Sequence, residues 1–166
     1  LELLSVPLYG MLSYTFLRSK SLESGLKYLV LSAAASATLL MGMAFIYAQV
    51  GSLNFKSISL QLASMYQSPL LVLGTALMMF GIAFKLSAAP FHIWTPDVYE
   101  GAPAPVATYL ASVTKVAMMA LAIRFLLDTQ LLALPSVQIL LTVMATLSIL
   151  IGNLLAVRQT NLERLL

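Results

Sequence analysis

The sequence predicts an all-α integral membrane protein with about five transmembrane helices, one of them interrupted by proline. Three observations lead there. Hydrophobic residues make up 60% of the 166 positions and charged residues only 9%, against about 25% charged in an ordinary soluble domain. So few charges cannot cover a soluble surface, and so much apolar matter excludes a disordered chain. The apolar residues also come in long unbroken runs, near the ~20 residues that cross a bilayer as a helix. None of these runs alternates polar and apolar residues, as a barrel strand does.

Five runs qualify, and they make a single membrane region over residues 1–166. The first covers about 3–17. It follows Leu1 with no basic stretch before it, so it is not read as a signal peptide. Its abrupt start, and a tail over 161–166 that resembles the approach to another segment, mark the chain as an interior piece of a longer polytopic protein. The other runs cover about 26–49, 70–91, 106–127 and 137–157. The link over 18–24 is short and basic. The link over 51–69 is longer and polar, with spacing that suits a short interfacial helix. The link over 93–105 is rich in proline and carries Asp97 and Glu100, and the one over 128–135 is short. No internal repeat or low-complexity tract is present.

Charge sets the orientation. Arg18, Lys20, Arg158 and Arg164 fall on one side, Lys56 and Arg124 on the other. The richer side is expected to be cytoplasmic. The net charge of +3 belongs to such loops and does not mark a nucleic-acid surface. The absence of cysteine excludes disulfides and thiolate sites, and a single histidine speaks against zinc or haem.

Charges inside the apolar runs carry the functional signal. Lys115 lies near the middle of the fourth run, where a lysine costs roughly 2.5–3.5 kcal/mol on insertion scales. Thr108, Ser112 and Lys115 fall within about 60° on a helix. That face is expected to look into a bundle or a hydrated cavity, and a static ion pair is the structural alternative. Lys85 shares a face with Gly74 and Gly81, within about 40°. Pro90 lacks an N–H and clashes with the carbonyl of Leu86, so the helix should break just after Lys85. Such breaks are tolerated where protein or water satisfies the freed groups; the alternative is that Lys85 reaches the interface along its stem.

Lys27 opens the second run. It either snorkels or turns inward on the face of Ala34 and Thr38. Glu2 is a buried acid needing a cation if its helix begins earlier, and a terminal acid otherwise. His92 follows Pro90 at the mouth of the third run. Histidine titrates near physiological pH and suits proton exchange with water, although an interfacial histidine is often merely solvated. Gln138, Thr142, Thr146 and Asn153 form a stripe suited to bonding between helices.

Cationic side chains on separate helices, among polar neighbours, point to proton handling. Desolvation weakens the hold of any ammonium on its proton, and a nearby carboxylate strengthens it. The fingerprints GxGxxG, GxxxxGK[ST], HExxH and GxSxG are all absent. The chain therefore carries transport chemistry and no redox centre of its own.

Two stretches carry a family resemblance. Residues 27–36 read KYLVLSAAAS, and residues 84–106 read FKLSAAPFHIWTPDVYEGAPAPV, followed by SVTK at 112–115. Together they resemble the antiporter-like N subunits of proton-pumping NADH:quinone oxidoreductase, respiratory complex I. The PFH-W-PD and AP-PV skeleton is shared with the sister L and M subunits, whereas the TPDVYEGAPAPV wording is N-like. The resemblance spans the whole chain and implies the middle of a larger antiporter-like helix bundle, from about the fifth helix to the threshold of the tenth.

It also implies that Glu2, Lys27, Lys85 and Lys115 translocate protons laterally, and that His92 occupies a family histidine position. A complete pathway would need the missing second half. No cofactor is expected in this chain; NADH, FMN, Fe–S clusters and quinone would sit in other subunits. The expected partners are neighbouring antiporter-like membrane subunits, the lipid bilayer and protons, with no nucleic acid. The expected location is a bacterial inner membrane, multi-pass, or an organellar inner membrane. In enzymatic terms the chain would be a non-redox subunit of a translocase. A multisubunit cation/proton antiporter and a structural membrane module are the other readings.

Overall fold

A computed structural model describes residues 2–15, 17–65, 68–161 and 164, leaving the side chains at 2, 4 and 62–65 undescribed. The described residues form eight α-helices: α1 (Glu2–Ser13), α2 (Ser19–Val50), α3 (Phe55–Met65), α4 (Pro69–Leu86), α5 (Trp94–Gly101), α6 (Ala104–Ala111), α7 (Val113–Asp128) and α8 (Pro135–Arg158). Four stretches are long and apolar enough to cross a membrane: Ser19–Val50, Pro69–Leu86, Ala104–Asp128 and Pro135–Arg158. The all-helical membrane fold expected from composition is thus the fold observed.

Local chemistry explains the boundaries. α2 stops at Gly51, whose φ of 71° sends its N–H back to the Tyr47 carbonyl oxygen, a conformation that glycine adopts without strain. α3 is the short helix anticipated in the 51–69 link, started where Asn54 Oδ1 accepts the Lys56 N–H at 3.0 Å. Pro69 and Pro135 open α4 and α8 at the first turn, where no N–H is needed.

Three expectations are revised. The third run does not stay helical to 91. α4 ends at Leu86, the residue whose carbonyl a helical Pro90 would have struck; the Ala89–Pro90 bond is cis. The 93–105 link is not a plain loop but holds α5, because Pro96 and Asp97 fall in its first turn, where a ring without N–H and a negative charge are both accepted. The fourth run is jogged at Ser112, between α6 and α7. Ser112 Oγ donates to the Thr108 carbonyl oxygen at 2.7 Å, a bond that bends helices.

Close packing of α2 and α4 positions the site. The two run antiparallel, with Gly42 against Gly74, Leu39 against Gly81, and Ser32 beside Lys85. A Cβ on Gly42 would lie 2.7 Å from the Gly74 carbonyl oxygen, and one on Gly81 would lie 2.6 Å from Leu39 Cβ. Backbones approach this closely only over small residues, the usual device between membrane helices. Gly101 does the same for α5, where a Cβ would meet the Lys20 carbonyl oxygen. One apolar cluster, including Ile46, Leu71, Met118 and Phe125, lies toward the α3 end. A second, including Leu12, Tyr28, Trp94 and Val98, lies under α5. α8 buries no residue within this chain.

Candidate proton-relay site

The break after α4 organises the site. A helix end leaves carbonyls without partners, and here those of residues 83, 84 and 85 find them. The Ala83 carbonyl oxygen accepts the Ala88 N–H at 3.0 Å. The Phe84 oxygen accepts the Ser87 N–H at 3.0 Å and Trp94 Nε1 at 3.3 Å. The Lys85 carbonyl oxygen accepts the Lys115 ammonium at 3.0 Å. Lys115 therefore caps the negative end of the α4 dipole, which explains how a lysine is held in a membrane-spanning helix. Its Nζ also bonds Ser87 Oγ and stands 5.0 Å from the centroid of the Trp94 ring, within cation–π range.

Lys85 itself points to the other side. Its Nζ donates to Ser5 Oγ on α1 at 2.7 Å and to Ser32 Oγ on α2 at 2.6 Å. Both serines are buried. Ser32 lies thirteen residues into α2, about 20 Å along its axis. Lys85 and Lys115, on separate helices in the sequence, are thus brought to one junction, joined through the backbone of residue 85.

Lys115 also lines a cleft of about 730 Å³ together with Ser87, His92, Thr95, Tyr99 and Ser148. His92 accordingly shares a space with Lys115, and its Nδ1 is buried with no hydrogen-bond partner among the described residues. Burial pushes the Tyr99 hydroxyl up to about 12, so it stays a donor throughout the physiological range. Thr108 and Ser112, expected beside Lys115 on one polar face, are exposed and bond back to their own helix. The stripe on α8 behaves the same way: Thr142 and Thr146 bond the carbonyls four residues earlier. Asn153 likewise bonds the Ile149 carbonyl oxygen, and Gln138 reaches only the Leu132 carbonyl oxygen in the turn before α8, among the described residues.

Lys27 belongs to a different place. Its Nζ binds Glu23 at 2.8 Å and Asp97 at 2.9 Å, and the side chain is 41% exposed. α2 is about 48 Å long at 1.5 Å per residue, well over the ~30 Å hydrocarbon core, so its first turns reach the interface. Lys27 takes the interfacial alternative, with carboxylates added. Arg164 joins Asp97 at 2.5 Å and Glu100 at 3.4 Å, and Lys20 joins Glu100 at 2.8 Å. The hydrogen bond from Lys27, with the charge of Arg164 beside it, holds the Asp97 carboxyl below the usual carboxylate range against the opposing effect of burial. Lys20 does the same for Glu100. The side chain of Glu2, at the head of α1, lies outside the described residues.

Sequence reasoning missed the hydroxyls. Ser5, Ser32 and Ser87 accept from the lysines, and each looked like a small polar residue in an apolar run; Thr95, in the link over 93–105, donates to Ser87. A signal was present for Ser32: buried small residues recur on α2 at Ser21, Ser24, Ser32, Ala35 and Gly42, a packing stripe. Among the described residues no group of histidine or carboxylates has the arrangement to hold a metal ion.

The family described as NADH:quinone oxidoreductase/Mrp antiporter, transmembrane, matches residues 1–166. The chain is 83% identical over its full length to NADH-quinone oxidoreductase subunit N of Psychrobacter arcticus and 58% identical to that of Acinetobacter baumannii. It covers 34% and 33% of those proteins, about a third of their length. Respiratory complex I from Thermus thermophilus with bound aureothin superposes with a TM-score of 0.79 at 38% identity, over 99% of this chain and 34% of that one. The membrane-bound sulfane sulfur reductase, an archaeal respiratory membrane complex, does so with 0.79 at 30% identity and the same coverage. The chain belongs to the NADH:quinone oxidoreductase/Mrp antiporter family of membrane proteins.

Proposed function

We propose that the chain is the central part of an N-type membrane subunit of a proton-pumping NADH:quinone oxidoreductase. Intramembrane lysine and glutamate residues relay protons, driven by quinone reduction elsewhere in the complex. Glu2, Lys85 and Lys115 form the inner relay, His92 exchanges protons with the cleft, and Lys27 stands at the cytoplasmic mouth. The observation that carries this reading is the meeting of Lys115 with the Lys85 carbonyl at a broken helix end that opens on a polar cleft. The 83% identity to a subunit N supports the choice of complex. The partners are then neighbouring antiporter-like membrane subunits in a bacterial inner membrane. NADH, FMN, Fe–S clusters and quinone belong to other subunits, in keeping with a chain that has no cysteine.

The test uses the full-length subunit in its assembled complex, in sealed vesicles. Lys85→Ala and Lys115→Ala are each expected to abolish proton uptake coupled to NADH oxidation. Full uptake in both variants overturns the reading. The family description also covers Mrp antiporters, which use the same membrane core for cation/proton exchange. Uptake that requires sodium would favour that second reading.

A further inference from the structure

Ser87 ends α4 in the left-handed region, at φ 59°. A side chain there is strained, and glycine is what a plain helix stop favours. The surroundings of Ser87 supply a reason for serine. Its Oγ accepts hydrogen bonds from the Lys115 ammonium and from Thr95 Oγ1, the latter at 2.7 Å. A hydroxyl has two lone pairs and one hydrogen. With both lone pairs taken, the Ser87 O–H is left to point into the cleft that Ser87, His92 and Thr95 line.

We propose that Ser87 is the exchange point between Lys115 and the cleft, an inference that rests on the relay function proposed above. In the step, one N–H bond of the Lys115 ammonium breaks and its proton forms a new O–H bond on Ser87. The original Ser87 O–H breaks at the same time, and its proton passes to a water molecule in the cleft. Lys115 is left as a neutral amine, Ser87 is again a hydroxyl, and the cleft water has gained one proton on the His92 side. Nothing is oxidised or reduced, and the reverse step reloads Lys115. Thr95 is a positioning residue, since its bond to Ser87 keeps the second lone pair occupied and the Ser87 O–H turned outward.

The test again uses the full-length subunit in its complex, reconstituted in sealed vesicles. Ser87→Gly removes the hydroxyl while suiting φ 59° better than serine does, so the backbone keeps its course. Proton uptake is expected to fall at least about tenfold, the scale of a lost positioned proton-transfer group. Thr95→Ser is expected to keep the parental rate and Thr95→Val to lose part of it. The solvent deuterium isotope effect on uptake is expected to rise in Ser87→Gly, because proton exchange becomes limiting; a purely structural Ser87 would leave it unmoved. Assembly is followed on native gels. If glycine weakens it, Ser87→Asn carries the same expectation, since asparagine tolerates the left-handed region but offers an amide in place of the hydroxyl. Parental uptake in the Ser87 variant beside lost uptake in Lys115→Ala overturns this inference alone. Parental uptake in both overturns the relay reading with it.

Discussion

Lys27 and Lys115 lie on different helices and meet different partners. Lys27 binds the carboxylates of Glu23 and Asp97, whereas Lys115 binds the Lys85 carbonyl, the Ser87 hydroxyl and the face of Trp94. The consequence appears when each proton is removed. Deprotonating Lys27 takes the cation from Glu23 and leaves Asp97 to Arg164 alone in a half-exposed network. Deprotonating Lys115 strands no charge among these partners, because a carbonyl, a hydroxyl and an indole are neutral in either state. The first arrangement ties helices together through fixed charge. The second can hold an ammonium and also let it go.

Arginine distinguishes the two arrangements most sharply, since a guanidinium keeps the charge but does not give up its proton. Lys115→Arg is expected to cut proton uptake at least about tenfold in complexes that still assemble on native gels. Lys27→Arg, still able to reach Glu23 and Asp97, is expected to stay within about twofold of the parent, as for other half-exposed ion pairs. Equal pumping by the two variants would make Lys115 a structural cap of α4 and erase the contrast.

The next largest effect concerns what holds Lys85 in register with Ser32. Gly42 meets the Gly74 backbone with no room for a Cβ, which would also lie 2.8 Å from the Met78 amide nitrogen. Backbone cannot swing aside as a flexible side chain does. Gly42→Val is therefore expected to destabilise the subunit by about 1–3 kcal/mol, the usual range for overpacking. Thermal unfolding of the purified complex measures it. Gly152→Val, with open space around its Cβ position within this chain, is the control expected to change little in the isolated subunit. Matching losses in the two variants would show that crowding of α2 on α4 is not what stabilises the pair.

How far the sequence reached differs between the two cationic regions. Lys85, Lys115, the break before Pro90 and the Gly74–Gly81 face were all legible, because each violates a local rule: a charge in an apolar run, a proline inside a helix, glycines at helical spacing. Ser87 was not legible as a ligand, since serine in an apolar run violates nothing and its left-handed conformation belongs to the fold. Nor was the ion-pair network, whose Lys20–Glu100 and Lys27–Asp97 pairs span 80 and 70 residues of sequence. A helical period relates neighbours on one element. It carries no information about which loop lands on which helix.

The smallest expected effect concerns that network, and it is read through pH. Asp97 and Glu100 both lie on α5, and both carboxyls are held below their ordinary range in the folded chain, by Lys27 and Lys20 first and by Arg164 as well. For groups depressed in this way the stabilising contribution is complete above the unfolded values near pH 4. It is lost as pH falls through the lower folded values. Acidification below pH 4 should therefore loosen α5 from the start of α2, while the junction of Lys115 with the Lys85 carbonyl, which contains no carboxylate among its described partners, stays closed. Hydrogen exchange corrected for intrinsic rates is expected to show faster opening of the 94–101 amides at low pH, by less than about threefold because water screens these exposed partners. Added salt should produce a similar loosening near neutral pH. Protection of α5 that is indifferent to both acid and salt would mean that Gly101 packing on the Lys20 backbone, and not charge, holds α5 in place.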